Sequence, residues 1–440
     1  MNVCFILGSS QELSCAELSA VLTGRSIFFD VMGLGDACVE LSLDASCNEK
    51  ELMACLGGCV KIGSFLREIP AATLSPEVVA DMLFSLTDGR LTYGISVSSV
   101  SDVPKNKRMN ATRLARLGFE TKHALKRLGR QSRCVISQDS SCTLSSVVVE
   151  KNGLLKKDGV ELLFIQNQKT VRIYRTQVVQ PFEAFSQRDF GRPNRSMAIG
   201  MLPPKVARMM VNISGAPIHP TSTLLDPFCG TGTILQEALV LGIRAVVGTD
   251  NSPASLASAR GNLLWLKKTV PSIARYAVDI RTCDARQLHT LFRPGEIQTI
   301  VTETYLGPIV KKNGMVDQKN LIGLEQLYHS SFQSFARVLA RGAHVVIALP
   351  FWPSNTSAIF LSASLFESLK NIGFTATTRS LLTPYAFPFS RRNSILWHRE
   401  NQRVGREVCV FEYSPPTRSR QIEKHTRRRR AHHNLSLQIE

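Results

Sequence analysis

The 440-residue chain predicts an α/β protein: a doubly wound parallel sheet preceded by smaller α+β modules. Two observations carry this expectation. From Thr223 onward, short apolar runs alternate with helical stretches, the pattern of parallel strands joined by crossover helices. Ahead of that region, two groups of strand and helix signals each hold too few strands for a large sheet.

In the first group, Val3–Leu7 is a short apolar strand, followed by Ile27–Val31 and Ala37–Leu43. Ser14 would cap a helix over Ala16–Leu22, with Glu17 completing a capping box. Glu49–Ile62 reads as a second amphipathic helix. In the second group, Leu91–Ser98 is a strand, and Ser145–Val149, Glu161–Ile165 and Thr170–Arg175 complete the unit. Between them, Leu114, Leu117, Thr121, Ala124, Leu125 and Leu128 recur at helical spacing. Gln180–Lys205, rich in Arg, Pro and Gly, is a linker, and Pro203-Pro204 starts a helix at Lys205–Ile213. The large sheet then takes Leu224–Pro227, Ala245–Thr249, Tyr276–Ile280, Thr299–Thr302 and His344–Leu349, closed by a hairpin of Ile395–His398 and Glu407–Tyr413. The expected organisation is 1–70, 71–180, a linker at 181–204, the large domain at 205–414, and a basic tail at 415–440 containing four consecutive arginines, Arg427 to Arg430.

Composition narrows the function. The chain is 44% hydrophobic and 20% charged, which excludes collagen-like, coiled-coil and wholly disordered proteins. No run approaches the ~20 apolar residues of a membrane span. Residues 1–20 lack a basic n-region, and Gln11, Glu12 and Glu17 interrupt the apolar run, so no signal peptide is expected. The eleven cysteines have irregular spacing and complete no zinc motif with the scattered histidines. Free thiols in the cytoplasm, no metal and no membrane contact are the expectation. A net charge of +18 points to a polyanion, of which nucleic acid is the commonest for a soluble protein. The charge is concentrated: residues 101–135 hold ten Lys or Arg against Asp102 and Glu120. Arg113, Arg116, Lys122, Lys126, Arg127 and Arg130 form a cationic face beside the apolar stripe, and these six are the candidate RNA contacts.

The sharpest motif is Asp226-Pro227-Phe228-Cys229-Gly230-Thr231-Gly232-Thr233, between a strand and a helix. A Gly-rich turn there lets backbone N–H groups approach a ligand closely. It is neither the dinucleotide fingerprint nor a phosphate loop, which would need a lysine after Gly232. Asp250 ends the next strand, 24 residues beyond Asp226, where a carboxylate can accept both ribose hydroxyls of a nucleoside cofactor. Asp284 follows a third strand and could accept from an adenine amine.

Together, the D-P-F-C-G-T-G-T segment, Asp250 and Asp284 resemble an S-adenosylmethionine-dependent amino-methyltransferase. The flanks resemble the THUMP-containing tRNA guanosine N2-methyltransferases that act on guanosine ten. The residues concerned are Phe5 to Leu18, Arg188-Asp189-Phe190-Gly191-Arg192-Pro193, Gly200 to Lys205, and Gln402-Arg403-Val404-Gly405-Arg406-Glu407. The resemblance covers about residues 1–413. It implies a Rossmann-like domain preceded by ferredoxin-like and THUMP modules that bind tRNA. It also implies that S-adenosylmethionine is held by Asp226, Phe228, Gly230, Gly232, Asp250 and Asp284, in a monomer whose need for a small activating subunit the sequence leaves open.

The family's D-P-P-Y signature is replaced here by Glu303-Thr304-Tyr305-Leu306. Glu303 stands where the aspartate would, and its carboxylate could orient the poorly nucleophilic guanine N2 amine. Tyr305 could supply the stacking face for a flipped base. These two are the candidate catalytic residues. The rival readings are a DNA amino-methyltransferase, which would not need residues 14–175, and a non-catalytic RNA-binding protein that kept its cofactor pocket. Tyr385, Phe387 and Phe389 with Arg391 and Arg392 read either as an RNA-facing loop or as a core loop.

Overall fold

The computed structural model describes residues 1–44, 47–137, 142–195, 201–215, 223–308, 316–353, 358–387, 392, 394–399 and 402–416. The basic run at 427–430 lies outside them, as do Phe389 and Arg391.

The N-terminal part contains eight strands: β1 (Asn2–Leu7), β2 (Phe29–Gly35), β3 (Cys38–Leu43), β4 (Cys59–Pro70), β5 (Leu91–Ser99), β6 (Ser132–Val135), β7 (Gly159–Gln166) and β8 (Thr170–Val179). They form one sheet in the order β2-β3-β1-β4-β8-β7-β5-β6. The expected division at residue 70 therefore falls at the end of β4, and β4 pairs antiparallel with β8 from Lys61–Val179 to Pro70–Thr170. Helices α1 (Gln11–Gly24), α2 (Glu49–Cys55), α3 (Pro76–Leu86), α4 (Ala111–Arg127) and α5 (Ser146–Lys151) accompany this sheet.

Two expectations fail here for local reasons. Ser14 is not an N-cap: Ser10 is, and Ser14 lies buried inside α1, donating to the Ser10 and Gly58 carbonyls at 2.5 and 3.1 Å. Glu17 instead accepts the Gly57 and Gly58 N–H groups, each at 2.8 Å. The helix expected over Glu49–Ile62 stops at Cys55, because Gly57-Gly58 turns the chain into strand β4. A side chain at Gly57 would collide with the Lys205 carbonyl at 2.5 Å.

The supposed linker contains α6 (Phe182–Phe190) and leads to α7 (Pro204–Ile213), which has Pro204 in its first turn. The second sheet follows: β9 (Thr223–Asp226), β10 (Ala245–Asp250), β11 (Ala277–Thr282), β12 (Ile297–Glu303), β13 (Leu339–Phe351), β14 (Phe374–Ala376), β15 (Ile395–Trp397) and β16 (Gly405–Tyr413). Its order is β11-β10-β9-β12-β13-β16-β14, with β15 on β16. Strands β9 to β13 run parallel, and β16 is antiparallel to its neighbours. The crossovers are α8 (Thr233–Val240), α9 (Pro253–Thr269), α10 (Gln318–Val338) and α11 (Ala363–Asn371). Strand order reverses between β9 and β12, which opens a crevice at the carboxyl ends of the strands.

One apolar core runs from the first sheet into the second, joining Leu13 and Leu18 of α1 to Met209 and Met210 of α7 and Leu235 and Leu239 of α8. Buried polar contacts cross the same boundary. Asn212 donates to Glu17 at 2.6 Å, and Arg208 to the Ala54 carbonyl at 2.9 Å. Glu237 on α8, fully buried, takes Arg188 of α6 at 2.5 Å and Arg208 of α7 at 2.7 Å. Among the described residues, no helix is long and apolar enough to cross a membrane.

Candidate active site

The crevice holds a cavity of about 510 Å3, within the ordinary size range of small-molecule sites. Asp226, Phe228, Gly230, Asp250, Asp284, Glu303 and Tyr305 all line it. The structure thus brings together every predicted cofactor and catalytic residue except Gly232, which shapes the turn behind it.

The turn is built from its glycines. Gly230 has φ +50° and Gly232 φ +83°, left-handed conformations that L side chains adopt only at a cost. The Gly232 N–H closes the turn on the Cys229 carbonyl at 2.7 Å, and Gly232 is the N-cap of α8. Asp250 ties the turn to the next strand: Oδ2 accepts the Gly230 N–H at 3.0 Å and Oδ1 the Ser252 N–H at 2.8 Å. Asp226 is buried and accepts from Thr302 Oγ1 at 2.7 Å and from the Phe228 N–H at 3.2 Å. Burial outweighs these donors, and the Asp226 pKa is pushed up to about 8, with Asp250 and Glu303 adding like charge. Asp284 is chelated by Arg286, whose Nε and Nη2 donate at 2.9 and 2.5 Å. That pairing holds its carboxyl below the usual range and leaves it shared between arginine and cavity.

Glu303 is the last residue of β12, level with Ala348 of β13. Its Oε1 accepts Arg406 Nε at 2.7 Å, across from β16. Burial raises the Glu303 pKa, and the Arg406 charge and hydrogen bond oppose that rise. Tyr305 is 52% exposed at the cavity wall, and its carbonyl is fixed by the Tyr328 hydroxyl at 2.5 Å.

The cationic face is divided. Arg113, Arg116, Lys122, Lys126 and Arg127 are exposed on α4, whose N-cap Asn110 accepts the Arg113 N–H at 2.9 Å. Arg116 pairs with Glu120 and Arg127 with Glu77, both at 2.7 Å, surface pairs of small energetic weight. Arg130 is a correction. It lies beyond the helix end, 7% exposed, with its guanidinium donating to the Phe84, Thr87 and Gly89 carbonyls. It locks a turn and has no face for RNA. Leu128, expected on the buried stripe, is exposed for the same reason: α4 ends at Arg127.

Of the aromatic and basic residues singled out at 385–392, the described ones face the protein body: Tyr385 is buried, and Phe387 and Arg392 are half-buried. Tyr385 is buried against Phe29, and Arg392 pairs with Glu407 at 3.2 Å.

Sequence reasoning missed Arg192, Asn262 and Arg406. Arg192 donates to Thr233 Oγ1 at 2.7 Å, and Asn262 to the Thr231 carbonyl at 3.0 Å, so both brace the Gly-rich turn from behind. Arg192 and Arg406 lay in motifs already singled out by resemblance; nothing local marked Asn262.

Residues 192–375 match the family described as RMKL-like, methyltransferase domain. A tRNA (guanine(10)-N2)-dimethyltransferase of Methanothermobacter thermautotrophicus is 30% identical over 216 residues, 48% of this chain and 57% of that protein. The enzyme of the same name from Pyrococcus abyssi is 32% identical over 121 residues, 28% of this chain and 31% of that protein. The matches therefore span less than two thirds of either relative's length. The crystal structure of TrmN from Thermus thermophilus aligns with 94% of this chain and 99% of its own, at TM-score 0.51 and 16% identity. Over residues 192–375 this chain is thus similar to RMKL-like methyltransferase domains, and over nearly its whole length it shares the fold of TrmN.

Proposed function

We propose that this protein is an S-adenosylmethionine-dependent methyltransferase that forms N2-methylguanosine in tRNA. The observation carrying this is a single cavity that joins the Gly230–Gly232 turn and Asp250 to Glu303 and Tyr305. The similarity of residues 192–375 to a methyltransferase domain supports the reaction class, and the names of the relatives support the substrate.

The residues suit the cofactor. Among the described residues, and apart from the two flanking ones, only the Phe228 carbonyl lies within 4 Å of a Cβ placed on Gly230, so the backbone there is open to a ligand. Asp250 can accept ribose hydroxyls with the lone pairs its two N–H partners leave, and Asp284 can accept the adenine amine. When bound, S-adenosylmethionine supplies a methyl group activated by the positive charge on its sulfur. The carboxylates around the cavity favour a cationic ligand.

Glu303 would accept hydrogen bonds from N1–H and N2–H of the target guanine and take the proton that the amine sheds. Tyr305, exposed at the cavity wall, offers a ring on which a base drawn out of its stack can rest. The domain around residues 1–180 would grip the tRNA, with the exposed Arg113, Arg116, Lys122, Lys126 and Arg127 on phosphates, and 71–180 as a THUMP module. Residues 415–440 would add non-specific phosphate contacts. The protein would act as a monomer, and its eleven free thiols suit the reducing cytoplasm.

The test is nucleoside mass spectrometry of unmodified tRNA incubated with the full chain and S-adenosylmethionine. N2-methylguanosine is the expected product. Methylation of DNA and not of tRNA, or cofactor binding with no product on either, would refute the reading.

A further inference from the structure

We propose that Arg406 is the positioning residue of the transfer site: it holds Glu303 by one carboxylate oxygen and leaves the other to meet the substrate amine. The inference deepens the function proposed above and rests on it.

The two side chains approach from different strands. Glu303 ends β12, Arg406 is the second residue of β16, and β13 lies between them. Arg406 must reach past β13 to make its 2.7 Å bond from Nε to Glu303 Oε1. Its own pose is fixed on other sides. Nη1 donates to Gln402 Oε1 at 3.0 Å, and the guanidinium lies over the Trp397 ring at 5.2 Å. Trp397 is the residue paired with Arg406 in the β15–β16 ladder. The arginine is 3% exposed and Glu303 18%, so the pair is shielded from water on the arginine side and open on the carboxylate side. Among the described residues, Glu303 Oε2 carries no other hydrogen bond, and Glu303 lines the cavity.

This arrangement solves two problems for a carboxylate that must act on a weakly nucleophilic amine. Desolvation favours the neutral acid, and a fixed guanidinium opposes it. The Asp284–Arg286 pair on the same cavity wall is internally neutralised. A glutamate also has one more rotatable bond than an aspartate, and the single Nε–Oε1 bond removes that freedom. In the reaction, the N2 lone pair forms the nitrogen–carbon bond as the carbon–sulfur bond breaks with its electron pair remaining on sulfur. One N2 proton passes to Oε2 and then to water.

The experiment uses the full chain, unmodified tRNA and S-adenosylmethionine carrying a labelled methyl group. Single-turnover rates are measured across pH for the parent, Arg406→Gln, Arg406→Lys, Glu303→Gln and the Glu303→Gln/Arg406→Gln pair, with cofactor affinity followed by calorimetry. Arg406→Gln should slow transfer by at least ~10-fold, the scale of a misplaced or discharged acid–base group. It should move the acid limb of the profile to higher pH and leave cofactor affinity unchanged. Arg406→Lys, which keeps the charge, should return the acid limb to its parental position. On the Glu303→Gln background, Arg406→Gln should cause no further loss, because it acts through Glu303. An unmoved acid limb, or losses that multiply in the double variant, would overturn the assignment. If Arg406→Gln does not fold, the same double-variant comparison with Arg406→Lys decides the matter. Full activity in Glu303→Gln would instead sink the carboxylate's role itself, a failure distinct from that of Arg406.

Discussion

Asp250 is the residue whose loss should speak most directly to cofactor binding. Two backbone N–H groups, from Gly230 and Ser252, converge on its carboxylate at 3.0 and 2.8 Å. A ribose would add hydrogen bonds to the same two oxygens. Asp250→Ala therefore removes the ribose acceptor and also unties the Gly-rich turn from β10. A hydrogen bond to a charged group is worth ~1.5–3 kcal/mol, so affinity for S-adenosylmethionine should fall ~10- to 150-fold. Asp250 is only half-buried, and water can satisfy the freed N–H groups, which keeps the expected loss within that range. Asp250→Asn retains one acceptor and should fall between parent and alanine. Calorimetry with the natural cofactor and with a 2′,3′-dideoxyribose analogue separates the two effects. If ribose contact dominates, the analogue binds parent and Asp250→Ala almost equally. Unchanged affinity for the natural cofactor in Asp250→Ala would remove the residue from the site. An equal loss for both ligands would reduce it to a brace for the turn.

Three further outcomes are expected. Gly232→Ala forces an L side chain into φ +83°, and should lower stability by ~1–2 kcal/mol in urea unfolding; an unshifted midpoint would mean that the turn relaxes. Glu17 is buried with its pKa pushed up to about 7, above its value in the unfolded chain. The folded state thus binds the extra proton, and this contribution to stability is complete below about pH 4.5 and lost as pH rises through about 7. Unfolding at pH 5 and pH 8 should show a larger drop in the parent than in Glu17→Gln, and equal drops would contradict that linkage. Charge reversal at Lys122 and Lys126 should weaken tRNA binding and flatten its dependence on salt without changing the melting temperature. Arg130→Ala should do the opposite and cost stability by stranding three carbonyls; a binding defect in a fully stable Arg130→Ala would restore it to the RNA face.

Much of the second sheet and of its cavity was legible in the sequence because the signals are local. A strand that stops at Asp226, glycines that alone tolerate a left-handed turn, and acidic residues at successive strand ends all sit within short windows. A parallel sheet then brings those strand ends to one edge. The cationic face of α4 was legible for the same reason, since helical periodicity separates Leu114, Leu117 and Leu125 from Arg113, Lys122 and Lys126 within one element. What only the tertiary structure decided were partnerships between distant segments. Arg130 follows the α4 register in sequence, but the helix ends at Arg127 and carbonyls of the last turn of α3 and of the α3–β5 loop capture its guanidinium. Glu17 matches a capping box locally, but a buried acceptor for Gly57, Gly58 and Asn212 was needed more, and each of these donors lies forty or more residues from it. Glu303 could be placed at its strand end from sequence alone. That its charge is held by Arg406, 103 residues away, follows from the sheet order β12-β13-β16, which no local pattern encodes.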